Sequence, residues 1–82
     1  MTFDPNFGKS GFQRKLFRLR FRKLRLSQVA FAGRYGLSVG MIRDVEQGRV
    51  LPSRAMRGLV ELIDVDPVIV AAAAARATAE VP

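Results

Sequence analysis

Residues 26–48 read LSQVAFAGRYGLSVGMIRDVEQG, and their punctuation repeats. Leu26-Ser27 is followed by QVAFAGRY and then Gly36; Leu37-Ser38 is followed by VGMIRDVEQ and then Gly48. Ser before a helical run is a natural N-cap, because its hydroxyl accepts a hydrogen bond from a first-turn N–H that has no partner inside the helix. Each Leu before the cap has an apolar residue at the fourth helical position, Phe31 and Ile42, with which it closes a hydrophobic staple. Each Gly stands where a helix ends in a left-handed residue. The spacing predicts two short capped helices in succession, almost without a linker.

The same signals continue downstream. Pro52-Ser53 opens RAMRGLVELI, in which Met56, Leu59, Val60 and Ile63 fall at helical spacing. Asp66-Pro67 opens VIVAAAAARATAE, since Asp caps well, Pro is tolerated at the first helical position and the alanines favour a helix on propensity. Upstream, RKLFRLRFRKLRL (14–26) alternates apolar and basic residues from Phe17 to Arg22, yet Phe17, Phe21 and Leu24 also keep helical spacing. With no other strand signal, there is no sheet for this segment to join. The expected fold is therefore all-α, a compact bundle of about five short helices. Its domain is expected over 12–76, between a loose arm at 1–11 and a tail at 77–82.

On a helical wheel Phe17, Phe21 and Leu24 fall within an arc of about 60° and are expected to face the core. Arg14, Arg18, Arg22 and Arg25 line the adjacent stripe. Phe12, Leu16 and Leu19 form a second apolar patch roughly opposite, which needs a different cover.

Composition narrows the function. The 82-residue chain carries a net charge of +7, with no Cys and no His. Seven bases lie between Arg14 and Arg25, and Asp4 is the only acid in the first third. Such a basic domain suggests a polyanionic partner. Without Cys there is no disulfide or thiolate metal site, and without His the commonest general base and metal ligand are missing. Ser10, Ser27, Ser38 and Ser53 have no imidazole partner, and the GKS at 8–10 has Phe3 where a phosphate loop wants Gly. No enzyme activity, cofactor or metal is expected. The longest apolar run, Val68 to Ala75, is too short to span a bilayer, and residues 1–12 lack the pattern of a signal peptide. The expectation is a soluble cytoplasmic protein.

Two short helices joined by a tight turn suit a helix-turn-helix, whose second helix lies in the major groove while the first crosses the DNA backbone. The motif is expected at 27–47. Ala32 is small where the helices approach most closely, Gly36 allows the turn, and Ile42 and Val45 tie the second helix to the core. Counted from Gln28 these are positions 5, 9, 15 and 18, in agreement with the helix-turn-helix pattern.

With these residues the chain resembles the large Cro/lambda-repressor-like (XRE) family of bacterial and phage regulators. The likeness lies in LSQVAFA (26–32), GLS (36–38), VEQGRVLPS (45–53) and LVELIDVDP (59–67), and covers about residues 15–70. FAGRYGLSVGMIRDVEQGRVLPSRA is similar to the branch that includes antitoxin regulators, with Val45 where that branch often has Trp.

The resemblance implies a lambda-repressor-like DNA-binding domain with roles that carry over by position. Val39, Gly40, Met41 and Arg43 occupy the face that reads base edges, and Arg43 is the candidate for bonding guanine O6 and N7 together. Gln28 matches the Gln that bonds a backbone phosphate, and Arg18, Arg22, Ser38, Arg49 and Arg54 are the further phosphate candidates. Asp44 is expected to bond a base amino group or Arg43, or to face away. Glu46 matches an acid that pairs with an Arg of the first helix. Either Arg25 occupies the usual Gly of the preceding turn or the turn is one residue shorter; on the shorter turn the partner is Arg22.

The function expected is a sequence-specific regulator of double-stranded DNA, most simply a repressor or autorepressor acting as a homodimer on an inverted repeat. The patch of Phe12, Leu16 and Leu19, or the apolar run from Val68, would form the dimer interface. The alternative is an antitoxin that binds a toxin protein and autoregulates its operon. An interfacial membrane helix at 12–26 is disfavoured, because its apolar residues split into two opposed patches.

Overall fold

Ser27, Ser38 and Ser53 each accept a hydrogen bond from the amide three residues on, those of Ala30, Met41 and Met56, at 3.0, 3.3 and 3.1 Å. Asp66 does the same for Ile69 at 3.1 Å. These four caps start α2 (Gln28–Tyr35), α3 (Val39–Glu46), α4 (Arg54–Val65) and α5 (Pro67–Ala79). Before them, α1 (Gly11–Phe17) runs on into a π-helical segment (Arg18–Lys23). The computed structural model describes residues 11–79, and among these no strand occurs. The arm at 1–10 and the last three residues of the tail lie outside the described residues. Gly11 belongs to α1 instead of the arm, and residues 77–79 continue α5 instead of the tail.

Glycine closes α2 and follows α3 as the spacing predicts. Gly36 has φ 67° and Gly48 φ 77°. The amides of Gly36 and Leu37 both return to the Ala32 carbonyl, the latter at 2.8 Å. Only residues 36–38 separate α2 from α3.

The core draws on four helices: Leu16 and Leu19 from the first, Phe31, Ala32 and Tyr35 from α2, Ile42 and Val45 from α3, and Met56, Val60 and Ile63 from α4. Leu26 and Leu37 pack partly against it, as the two staples require. Helix α5 contributes no buried residue. It is held by half-buried Val70 and Ala71 and by Tyr35, whose hydroxyl donates to the Pro67 carbonyl at 3.3 Å.

The first helix turns its other face inward. Leu16 and Leu19 are buried and Phe12 packs against the core, whereas Phe17 and Phe21 are exposed and Leu24 is half-buried. Two causes defeat the wheel. The Leu24 amide bonds the Leu19 carbonyl, five residues back, so the turn holds an additional residue and the 100° spacing fails. The inward face also carries polar groups that a hydropathy wheel counts as outward: Arg20 and Gln13 are both buried. Gln13 Nε2 donates to the Val45 carbonyl at 3.0 Å, near the end of α3.

Arg25 occupies the left-handed position of the turn before α2, with φ 55°. A side chain there costs about 1–2 kcal/mol, part of which Gly gives back through its larger unfolded-state entropy. Arg25→Gly is therefore expected to raise stability by about 0.5–1 kcal/mol, and the melting temperature by a few degrees. An unchanged or lower melting temperature in a circular-dichroism scan would show that the turn does not strain Arg25.

Exposed ion pairs join the first helix to α4. Lys15 meets Glu61, and Lys23 Nζ donates to Asp64 Oδ1 at 2.8 Å and to the Asp64 carbonyl at 2.7 Å. The hydrogen bond from Lys23, reinforced by the charges of Lys23 and Lys15, holds the Asp64 carboxyl below its usual range. The hydrogen bond to Glu61, with the charges of Glu61 and Asp64, holds the Lys15 ammonium above its usual range.

Candidate nucleic-acid interface

The eight residues of α3 divide between holding the helix and presenting it. Ile42 and Val45 are fully buried. Val39, three residues before Ile42, shares their side of the helix and packs partly against the core. Met41 and Arg43 point outward. Gly40 lies between these groups, half-buried; a Cβ built on it would meet only Ser38 Oγ, at 3.6 Å, an ordinary contact. The fold itself thus makes no demand for glycine at this position. Of the four residues expected to read bases, Met41 and Arg43 are free to do so, Gly40 offers backbone, and Val39 is largely committed to packing.

Arg20 holds the end of α3, in place of the expected Arg22. The Arg20 guanidinium grips Glu46 with two bonds, Nε to Oε2 at 2.7 Å and Nη2 to Oε1 at 2.9 Å, while Nη1 donates to the Leu26 carbonyl at 2.9 Å. Both side chains are only 8% exposed. Arg22 is exposed and makes no ion pair among the described residues. The turn explains the difference. Arg25 does take the left-handed glycine position, the longer of the two alternatives, so the shorter turn on which Arg22 is the expected partner is not formed.

Gln28 joins the same network. Its Nε2 donates to Glu46 Oε1 at 3.1 Å, so the first residue of α2 is tied to the last of α3. A primary amide has two N–H donors, and one is left for a phosphate. Ser38 accepts the Met41 amide and keeps its own hydroxyl proton.

The remaining phosphate candidates are distributed over different elements. Arg18 and Arg22 are exposed on the first helix and Arg54 opens α4; neither they nor Arg43 form an ion pair among the described residues. Arg49 Nη1 approaches Asp44 Oδ1 to 3.8 Å, a long exposed contact of little energy. The ion pair that Asp44 makes is thus with Arg49, and Arg43 makes none among the described residues. The structure joins Gln28, Glu46 and Arg20 directly and sets Arg49 beside Asp44; it makes no bond between Arg18, Arg22, Arg43 and Arg54.

Among the described residues no cluster of three metal-ligating side chains occurs, and no helix is long and apolar enough to cross a membrane. No protein-family model matches the chain, and comparisons with curated proteins and with solved structures find no match.

Proposed function

We propose that the protein is a sequence-specific binder of double-stranded DNA that regulates transcription, with α2 and α3 acting as a helix-turn-helix and α3 entering the major groove. The observation that carries this reading is the state of Arg43. It stands exposed on a short helix anchored from behind by Ile42, Val45 and the Glu46 pair, and makes no ion pair among the described residues. A guanidinium so held is suited to guanine O6 and N7, and Met41 beside it to a thymine methyl. Arg18, Arg22, Gln28, Ser38, Arg49 and Arg54 supply phosphate contacts, which fix register and carry no sequence information.

The protein acts as a two-fold dimer on an inverted repeat, as a repressor where that site overlaps a promoter. Of the two apolar surfaces available for pairing, Phe12, Leu16 and Leu19 are taken by the core. That leaves the end of α4 and the outer side of α5, where Leu62, Val65, Val68 and Ile69 are 59, 82, 76 and 65% exposed. Residues 58–75 contain no Lys or Arg, so two highly basic chains can meet there without opposing their cations.

Selection of bound sequences from random duplex DNA at near-physiological salt tests this reading. A two-fold consensus is expected, and recovery of unenriched sequence would remove the claim of specificity. Arg43→Ala is expected to weaken the selected site by about 1–3 kcal/mol and to relax one base position, leaving random DNA unaffected. Equal losses on both DNAs would reassign Arg43 to phosphate.

A further inference from the structure

The proposed DNA contacts make no use of the two aromatic rings on the first helix. Phe17 and Phe21 are 41% and 58% exposed. Their centroids lie 5.2 Å apart with an interplanar angle of 13°, a stacked pair. The Arg20 guanidinium sits 5.4 Å from the Phe17 centroid, and its bonds to Glu46 and Leu26 keep it there. Phe17 is thus preorganised, and Phe21 extends the stack into solvent. Phe21 also forms one wall of an open groove of about 630 Å³, completed by Arg20, Arg22, Arg25, Leu26 and Ser27.

Four bases share this helix and the turn that follows it. Arg14, Arg18, Arg22 and Arg25 are exposed, and none makes an ion pair among the described residues. Two contiguous exposed rings rimmed by unpaired cations have the anatomy of an interaction surface: an apolar centre that excludes water and a charged rim that selects the partner. We infer that this face docks an acidic segment of another protein, one that sets an aromatic or leucine side chain against Phe21 and carboxylates against the surrounding arginines.

Charge and shape select that occupant. A second copy of the chain would bring the same unpaired arginines to the contact, and like charges brought together suppress pairing. A DNA duplex satisfies the arginines but offers the rings no apolar surface unless a base step is unstacked, at a cost of a few kcal/mol. A bilayer surface takes helices with one broad apolar face, and here Leu16 and Leu19 are consumed by the core, so only two rings remain. An acidic peptide with an apolar anchor satisfies both halves of the patch together. Phe17 and Phe21 take no part in the DNA-reading role, whereas Arg18 and Arg22 are shared with the proposed phosphate contacts, so an acidic peptide and a duplex are expected to compete for those two side chains.

The test is selection from a phage-displayed library of random linear peptides on the immobilised full chain, with Phe21→Ser as the parallel target. Phe21 is exposed and outside the core, so the variant is expected to keep its melting temperature. Peptides enriched on the unaltered chain are expected to be net acidic and to contain an aromatic residue or leucine. Synthesised singly, they are expected to bind it at least about tenfold more tightly than Phe21→Ser, the scale of a hot-spot truncation. Peptides without acids, or equal enrichment on both targets, would overturn the inference. So would phosphatidylglycerol vesicles or single-stranded oligothymidine that bind in a Phe21-dependent way more tightly than every selected peptide, since the patch would then belong to lipid or to single strands. Duplex binding by Phe21→Ser should stay within about twofold of the unaltered chain; a larger loss would place the rings in the DNA contact and also overturn the inference, whereas failure of duplex selection alone leaves it standing.

Discussion

Glu46→Ala is expected to cost about 3–5 kcal/mol of folding stability, the range for removing one partner of a buried ion pair. The Arg20 guanidinium would keep a single acceptor, the Leu26 carbonyl, while its charge stayed out of water. Gln28 would lose its partner as well, loosening the first residue of α2 from the last residue of α3. Small domains often hold only about 5 kcal/mol in total, so this variant should be largely unfolded at physiological temperature. Urea titration followed by circular dichroism measures the loss. Two companions sharpen it. Arg22→Ala should change stability by no more than about 0.5 kcal/mol, as a surface substitution does. Arg20→Met with Glu46→Leu should recover much of the loss, because apolar replacement of a whole buried pair is often neutral. A loss below about 1 kcal/mol for Glu46→Ala would mean that the pair behaves like an exposed one.

The affinity of the DNA complex is expected to collapse with salt. On the proposed role, the cationic phosphate contacts are Arg18, Arg22, Arg49 and Arg54, four per protomer and eight for a two-fold pair. A complex with about 6–10 such contacts loses roughly 10³- to 10⁵-fold in affinity between about 50 and 200 mM salt, because each neutralised phosphate releases condensed counterions. The double-logarithmic slope should be about −7 for the dimer, and Arg18→Ala in both protomers should flatten it by about 2. This variant should weaken cognate and random DNA alike, in contrast to Arg43→Ala. A slope near −2 would show that these arginines do not meet phosphates. Fluorescence anisotropy over a salt series reads both numbers directly.

What was legible in the sequence follows from how local each determinant is. Ser27, Ser38, Ser53 and Asp66 announced their helices because a cap is satisfied by an amide three residues away, within reach of a local pattern. Gly36 and Gly48 are likewise set by local backbone conformation. Ala32, Ile42 and Val45 could be placed in the core because each faces inward on an ordinary α-helix. The first helix could not be oriented from periodicity. Its two apolar patches are nearly equal in weight, and the decision between them rests on Glu46, which lies 26 residues beyond Arg20. A helical wheel sees neither that distant carboxylate nor the widened turn between Leu19 and Leu24. The signal that would have helped was Arg25. Reading it as a left-handed residue in the glycine position fixes the longer turn and removes the ground for Arg22 as the partner. At the candidate interface, Met41 and Arg43 were legible as outward-facing residues, whereas the packing of Val39 required knowing which side of α3 Ile42 occupies.

The division of α3 bears on how such a protein can change. Ile42, Val45 and Glu46 carry its attachment to the rest of the chain, and positions 40, 41 and 43 carry almost none of it. Stability and recognition are therefore nearly separate variables within eight residues. On the proposed DNA-reading role, drift at positions 40, 41 and 43 can explore new operators without passing through unfolded intermediates. A library randomised at those three positions should yield mostly folded members, and on that role some of them should select altered duplex sequences.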